Sequence, residues 1–143
     1  MGTDALFFDV MSRRPAPIEV TIRGERIVMR VFDFLESHKA KVLAQDCINE
    51  LCELYINDSA APLNVRLFAG AFERNADAWA ALLSLACRKP NDWIYTLRDA
   101  EGILVSEAFW AVHIDFFFRI FFRAIAKRSR NTRHAAVAPI AFH

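Results

Sequence analysis

Glycine is scarce in this sequence, with four in 143 residues. Neither G-x-x-x-x-G-K-[ST] nor G-x-G-x-x-G occurs, so there is no loop whose backbone could cradle a phosphate. Cysteine is sparse too. Cys47, Cys52 and Cys87 make no C-x-x-C and have no histidine at ligand spacing, which argues against a disulfide framework or a zinc site. The metalloprotease and hydrolase signatures H-E-x-x-H and G-x-S-x-G are missing. Four histidines remain: His38, His113, His134 and His143. His113 and Asp115, two apart on a helix, point to different faces, and His38 and Cys47 share only a broad one. No nucleophile, base and orienting group converge. The expectation is a non-enzymatic protein with no cofactor and no metal.

Long uncharged runs are also lacking. A membrane span needs about 20 mostly apolar residues. In the most apolar region Glu107, His113, Asp115, Arg119 and Arg123 interrupt every candidate. The start, MGTDALFFDVMSRR, has neither the basic opening nor the apolar core of a signal peptide. Leu6 stands where a myristoylation signal wants Ser or Thr. These absences read as a cytosolic, reduced protein. Net charge is only +1, which gives no overall pull toward nucleic acid. A basic stretch, Lys127 to Arg133, offers only salt-sensitive, non-specific contacts, without a recognition helix or stacking sheet.

What the chain does have is apolar and aromatic surface. Hydrophobic residues make up 55%, enough for one domain with a real core. Of thirteen Phe, three Trp and two Tyr, seven fall between Ile103 and Arg128. No Gly or Pro interrupts that stretch, which predicts a long helix. On a helical wheel Trp110, Ile114, Phe117, Phe121 and Ile125 share one face. Val105, Phe109, Val112, Phe116 and Ile120 make a second. One apolar face docks a helix on its own domain, so the second is open to a partner.

The remaining chain reads in order. Residues 1–17 form an N-terminal arm, which Phe7, Phe8 and Val10 could pin to the body. Ile18, Val20 and Ile22, then Arg23-Gly24-Glu25, then Ile27, Met29 and Val31 predict a β-hairpin over 18–31. Such a hairpin must lie on the helices or pair elsewhere to persist. Asp33 and Glu36 resemble a capping box, opening one helix from Phe34 to Tyr55. Leu35, Val42, Leu43, Cys47, Leu51 and Leu54 would be its inner face, and Asn57 to Pro62 the break. Val65, Phe68, Ala69 and Phe72 mark a second helix. Asn75 is positioned to cap a third, carrying Trp79, Leu82, Leu83 and Ala86, which Pro90 stops. A brief helix passes through Trp93 and Leu97, and Arg98 to Gly102 turns into the aromatic helix. The domain spans 18–128, with helices over 34–128, and 129–143 is a basic, flexible tail. The fold class is mainly α with a small N-terminal β-hairpin (α+β), a compact helical domain ending in one long aromatic-rich helix.

The pattern Leu82-Leu83, Lys89-Pro90, Trp93, Leu97, the acidic-Gly turn Asp99 to Gly102, Trp110 and His113-x-Asp115-Phe116-Phe117 resembles the tail assembly chaperone-like proteins of tailed bacteriophages. The hairpin around Gly24-Glu25 belongs to the same likeness, which covers residues 18–126. His113 stands where such proteins more often carry Asn. The resemblance implies a protein of the bacterial host cytoplasm that coats the elongated, helical tape measure protein and assists assembly of the tail tube around it. The residues implied to bind that partner are Trp110, Phe117, Phe118, Phe121 and Phe122, with Arg119 and Arg123 pairing its acids. Homo-oligomerisation is compatible with it. Two other readings stay open. One is a structural component of the tail or connector, kept in the virion. The other is a membrane-surface or host-directed phage protein that uses the aromatic, basic helix.

Overall fold

The structure, a computed structural model, describes residues 15–58 and 62–141, with side chains up to Asn131. The expected pinning of the arm through Phe7, Phe8 and Val10 lies outside the described residues. Two strands, β1 (Ile18–Ile22) and β2 (Glu25–Met29), are followed by six helices: α1 (Phe34–Leu43), α2 (Gln45–Asn57), α3 (Val65–Arg74), α4 (Ala76–Cys87), α5 (Asn91–Tyr95) and α6 (Asp99–Ala141). The fold is mainly helical with an N-terminal antiparallel hairpin and a long C-terminal helix, as the sequence leads one to expect.

The hairpin pairs Ile18 with Met29, Val20 with Ile27 and Ile22 with Glu25. Glu25 therefore belongs to β2, and the loop is two residues long. Arg23 (φ 51°) and Gly24 (φ 80°) both take positive φ, as a type I′ turn requires. Ile22, Ile27 and Met29 are buried and Ile18 and Val20 half-buried, so one face of the ribbon lies on the helices. Arg23 fastens the turn to the start of α6 through Glu101 (3.3 Å) and to Thr96 (3.1 Å). Lys89 reaches Glu25 from the end of α4.

The capping box is present: Asp33 Oδ1 accepts from the Glu36 amide (2.8 Å) and Glu36 Oε1 accepts from the Asp33 amide (2.9 Å). The helix it opens is shorter than the sequence suggests. At Ala44 (φ −86°, ψ 0°) the chain turns, and α1 and α2 run as separate helices. Cys47 and Leu51 go inward on α2, whereas Leu35 and Val42 on α1 face out. α3 and α4 follow the predicted periodicity. Asn64, unremarked in the sequence, caps α3 by accepting from the Leu67 amide (3.0 Å). Asn75 stands at the start of α4 but does not cap it. Its side-chain amide instead donates back to the Ala71 carbonyl (2.7 Å). α4 closes with Arg88 in the left-handed region (φ 56°), its backbone N–H donating to the Ser84 carbonyl, and Pro90 follows.

α6 begins at Asp99, so the residues expected as a turn, up to Gly102, form its first turn. Glu101 Oε1 accepts from the Arg98 amide (2.8 Å), half of a capping box. The helix continues to Ala141, so the stretch from Ser129, expected as a flexible tail, extends it.

Both apolar faces of α6 are covered by the chain itself. The hairpin lies against it on one side and α2, α3 and α4 on the other. Val105, Phe109, Trp110, Val112, Phe117 and Phe121 all enter one core. Trp110 stacks on Trp79 (5.6 Å, 15°) and meets Phe72 edge-on (4.9 Å). Phe121 packs edge-on against Phe68 (5.6 Å) and Tyr55 (5.7 Å). Such pairs contribute about 0.5–1.5 kcal/mol each beyond the area they bury. Truncating Phe117, which is 0% exposed, to Ala should therefore cost about 3–5 kcal/mol in urea unfolding. Truncating Phe122, 53% exposed, should cost well under half that. Equal losses would mean that the two rings are packed alike.

Candidate functional site

The small residues of α3 and α6 leave a gap between two helices that run side by side. Val65, Ala69 and Glu73 wall one side from α3, at successive turns. Ile103, Glu107, Ala111 and Ile114 wall the other from α6. Trp79, Leu83, Ile94, Leu97 and Trp110 lie beneath, and the groove has a volume of about 730 Å³. Ala69, Gly102, Ser106 and Ala111 are too small to fill it. Its length along α6, from Ile103 to Ile114, is three turns, or about 16 Å. Glu73, Asp99 and Glu107 make its rim acidic, with Arg98 the one base among them. A groove of this shape accepts a helix laid in by its apolar side.

Farther along α6 a strip points away from the core. Phe122 is exposed, and Phe118 is half-buried against Phe68 (4.8 Å, edge-on). Arg119 and Arg123 are exposed next along the helix surface, and Lys127, also exposed, lies farther round α6. The partner residues implied by the resemblance thus divide. Trp110, Phe117 and Phe121 are buried and serve the core, because the hairpin and α2 to α4 between them cover both faces of α6. Phe117 and Phe121 present no surface to a partner, and Trp110 reaches one only as part of the groove floor. Phe118, Phe122, Arg119 and Arg123 do lie together on an outer strip. The groove was not foreseen, since nothing local in the sequence says which side of α6 the neighbours leave open. A second apolar patch, also not foreseen, is the outer side of α1, where Phe34, Leu35 and Val42 are 75%, 70% and 76% exposed.

Several titratable and nucleophilic groups lie inside the fold. All three thiols are buried and free. Burial pushes Cys47 and Cys87 up to about 11 and raises Cys52, so the thiols stay protonated and poorly nucleophilic near neutral pH. Among the described residues no group of three or more His, Cys, Asp and Glu side chains could hold a metal ion, and no helix is long and apolar enough to cross a membrane. His113 is buried, stacked on Phe32 (4.1 Å, 16°) and tilted against Phe109 (4.9 Å), with no hydrogen-bond partner at Nε2. Burial, and then the positive charge of Arg88, lower its pKa to about 4. It is a neutral aromatic spacer, and its neighbours Phe32 and Phe109 make it part of the packing.

Residues 15–138 match the model of a family described as of unknown function, DUF6631. No curated protein and no solved structure matches the chain.

His113 also fixes how stability should follow pH. Its pKa is lowered on folding from 6.5 to about 4, so between those values the unfolded chain binds the extra proton. Stability then rises with pH across that window, and falls by about 3 kcal/mol as pH drops through it. His113→Phe should remove most of that slope in urea titrations at pH 4.5 to 6.5, whereas an unchanged slope would place its source elsewhere.

Proposed function

We propose, from the premise that the chain belongs to the DUF6631 family of unknown function, that it works by binding rather than by catalysis, as a phage tail assembly chaperone. Its partner is an elongated amphipathic helix of the tape measure type, held while tail-tube subunits assemble around it in the host cytoplasm. The observation that carries this reading is the pairing of an apolar groove three helical turns long with an outward aromatic and basic strip on the same helix. A holder of amphipathic helices needs apolar surface left open to solvent, and Ile103, Leu104 and Phe122, each about half exposed, supply it on α6. The resemblance in the Trp93 to Phe117 pattern supports the same reading. The binding side chains are Phe118, Phe122, Arg119 and Arg123 on the strip, and Ile103 and Val65 at the groove.

The test is capture of a tape measure protein by the tagged chain when the two are expressed together. Recovery of the long helical protein, reduced at least tenfold by Phe122→Asp and Ile103→Asp with unchanged circular dichroism, is the expected outcome. Failure to capture it, or capture indifferent to both substitutions, would sink the proposal.

A further inference from the structure

We infer that the groove selects a basic amphipathic helix, one whose apolar stripe is flanked on both sides by Lys or Arg, and that Glu73 and Glu107 make the selection. The inference rests on the reading above and deepens it by naming the chemistry of the segment held.

Charge on the two walls carries the argument first. Glu73 lines the groove from α3 and Glu107 from α6, so a helix laid between them meets a carboxylate on either side. Asp99 and Arg98, next to each other in the chain, offset one another. The rim keeps a net charge of −2, three acids less one base. Among the described residues neither glutamate makes an ion pair. Neither has a base three or four residues away on its own helix. Glu73 also lies in the last turn of α3, where the negative end of the helix disfavours an acid. Its neighbour Arg74 is engaged by Glu50 (2.6 Å). A base brought by a partner offsets that cost.

The apolar surface fixes the rest. Trp79, Leu83, Ile94, Leu97 and Trp110 line the groove beneath, and Val65 and Ile103 stand exposed on its two walls. Apolar residues at i, i+3, i+4 and i+7 of a partner helix cover them over three turns. Lys or Arg just outside that stripe lay their methylene stems along Val65 and Ile103 and bring their charged heads to Glu73 and Glu107. Glu or Asp in those places would meet like charge on both walls, so the rim rejects an acidic helix as well as admitting a basic one. An acyl chain would fill the floor and leave both carboxylates unanswered.

Synthetic peptides titrated onto the full-length chain, read by fluorescence anisotropy, test this. One peptide of about 16 residues, longer than the groove when helical, carries Leu at i, i+3, i+4 and i+7 with Lys on both flanks, and its twin carries Glu for Lys. The Lys peptide should bind about tenfold tighter than its twin, and the gap should narrow as salt is raised. Glu73→Lys and Glu107→Lys should each weaken the Lys peptide about fivefold. Together they should reverse the preference, with circular dichroism unchanged. Ile103→Ser should weaken both peptides, since both cover the same apolar wall. Equal affinity for the two peptides, a preference that survives the double reversal, or binding indifferent to Ile103→Ser would overturn the inference. No binding of either peptide would overturn it too, and a dimer in sedimentation equilibrium would then name a second copy as the occupant. Capture of a tape measure protein without a Lys preference would leave the proposed function standing. A preference switched by charge reversal, with no such capture, would remove that function and leave this inference.

Discussion

The parallel indoles of Trp79 and Trp110 sit where α3, α4 and α6 converge, and the rest of the structure is arranged by reaching them. Phe72 meets both rings edge-on, and Phe109 meets both from α6. Phe117 extends the contact along α6 and Phe68 along α3. Rings of this size cannot be packed by one neighbour, so the helix that carries most of them must be wrapped. The hairpin supplies the wrapping on one side, and its turn is held there by Arg23 and Lys89 through Glu101 and Glu25. A two-stranded ribbon is marginal alone, so strand and helix depend on each other.

The groove follows from the same packing. Large side chains fill the middle of the interface between α3 and α6, with Phe68 and Phe72 meeting Trp110, Phe117 and Phe121. Above this layer the facing residues are Ala69 and Ala111, and two helices held apart by rings below cannot close over alanines. The opening is therefore set by the core, and the connection from α5 to α6 adds Leu97 and Arg98 to its lining. Helix ends and grooves set on rigid elements hold a partner at less cost in ordering than mobile segments do.

How much of this could be read from residues depends on the range of the interaction that decides each feature. Arg23-Gly24 between two alternating runs, Asp33 with Glu36, the i, i+3, i+4, i+7 pattern from Val65, and the Gly- and Pro-free stretch after Gly102 are local, and each forms as expected. The bend at Ala44 has no Gly or Pro to announce it. The i→i−4 bonds from Ala44 to Ala40 (2.9 Å) and from Ile48 to Ala44 (2.9 Å) run through it, so only the backbone of Ala44 itself marks the break. Asn75 has the right residue type for a cap, but Ala71 and Glu50 compete for its amide. The strip illustrates the same limit. By residue type Trp110, Phe117, Phe118, Phe121 and Phe122 are equally suited to a partner, because hydrophobicity favours the core and a partner surface alike. The neighbouring helices decide between them: Phe117 meets Phe72 of α3 and is interior, and Phe122 is half exposed.

α1 is the element least bound by these constraints. Of its ten residues only Ala40 is buried, while three large apolar side chains face water. It is held by its packing on α4 and α2, with Ala40 buried and Leu43 half-buried, and by the Glu36–Arg88 ion pair (2.8 Å) to the left-handed end of α4. Such an element can detach by a sub-global opening far smaller than unfolding of the whole. The outward apolar patch of Phe34, Leu35 and Val42 thus rides on a helix that gives the core one fully buried residue, Ala40.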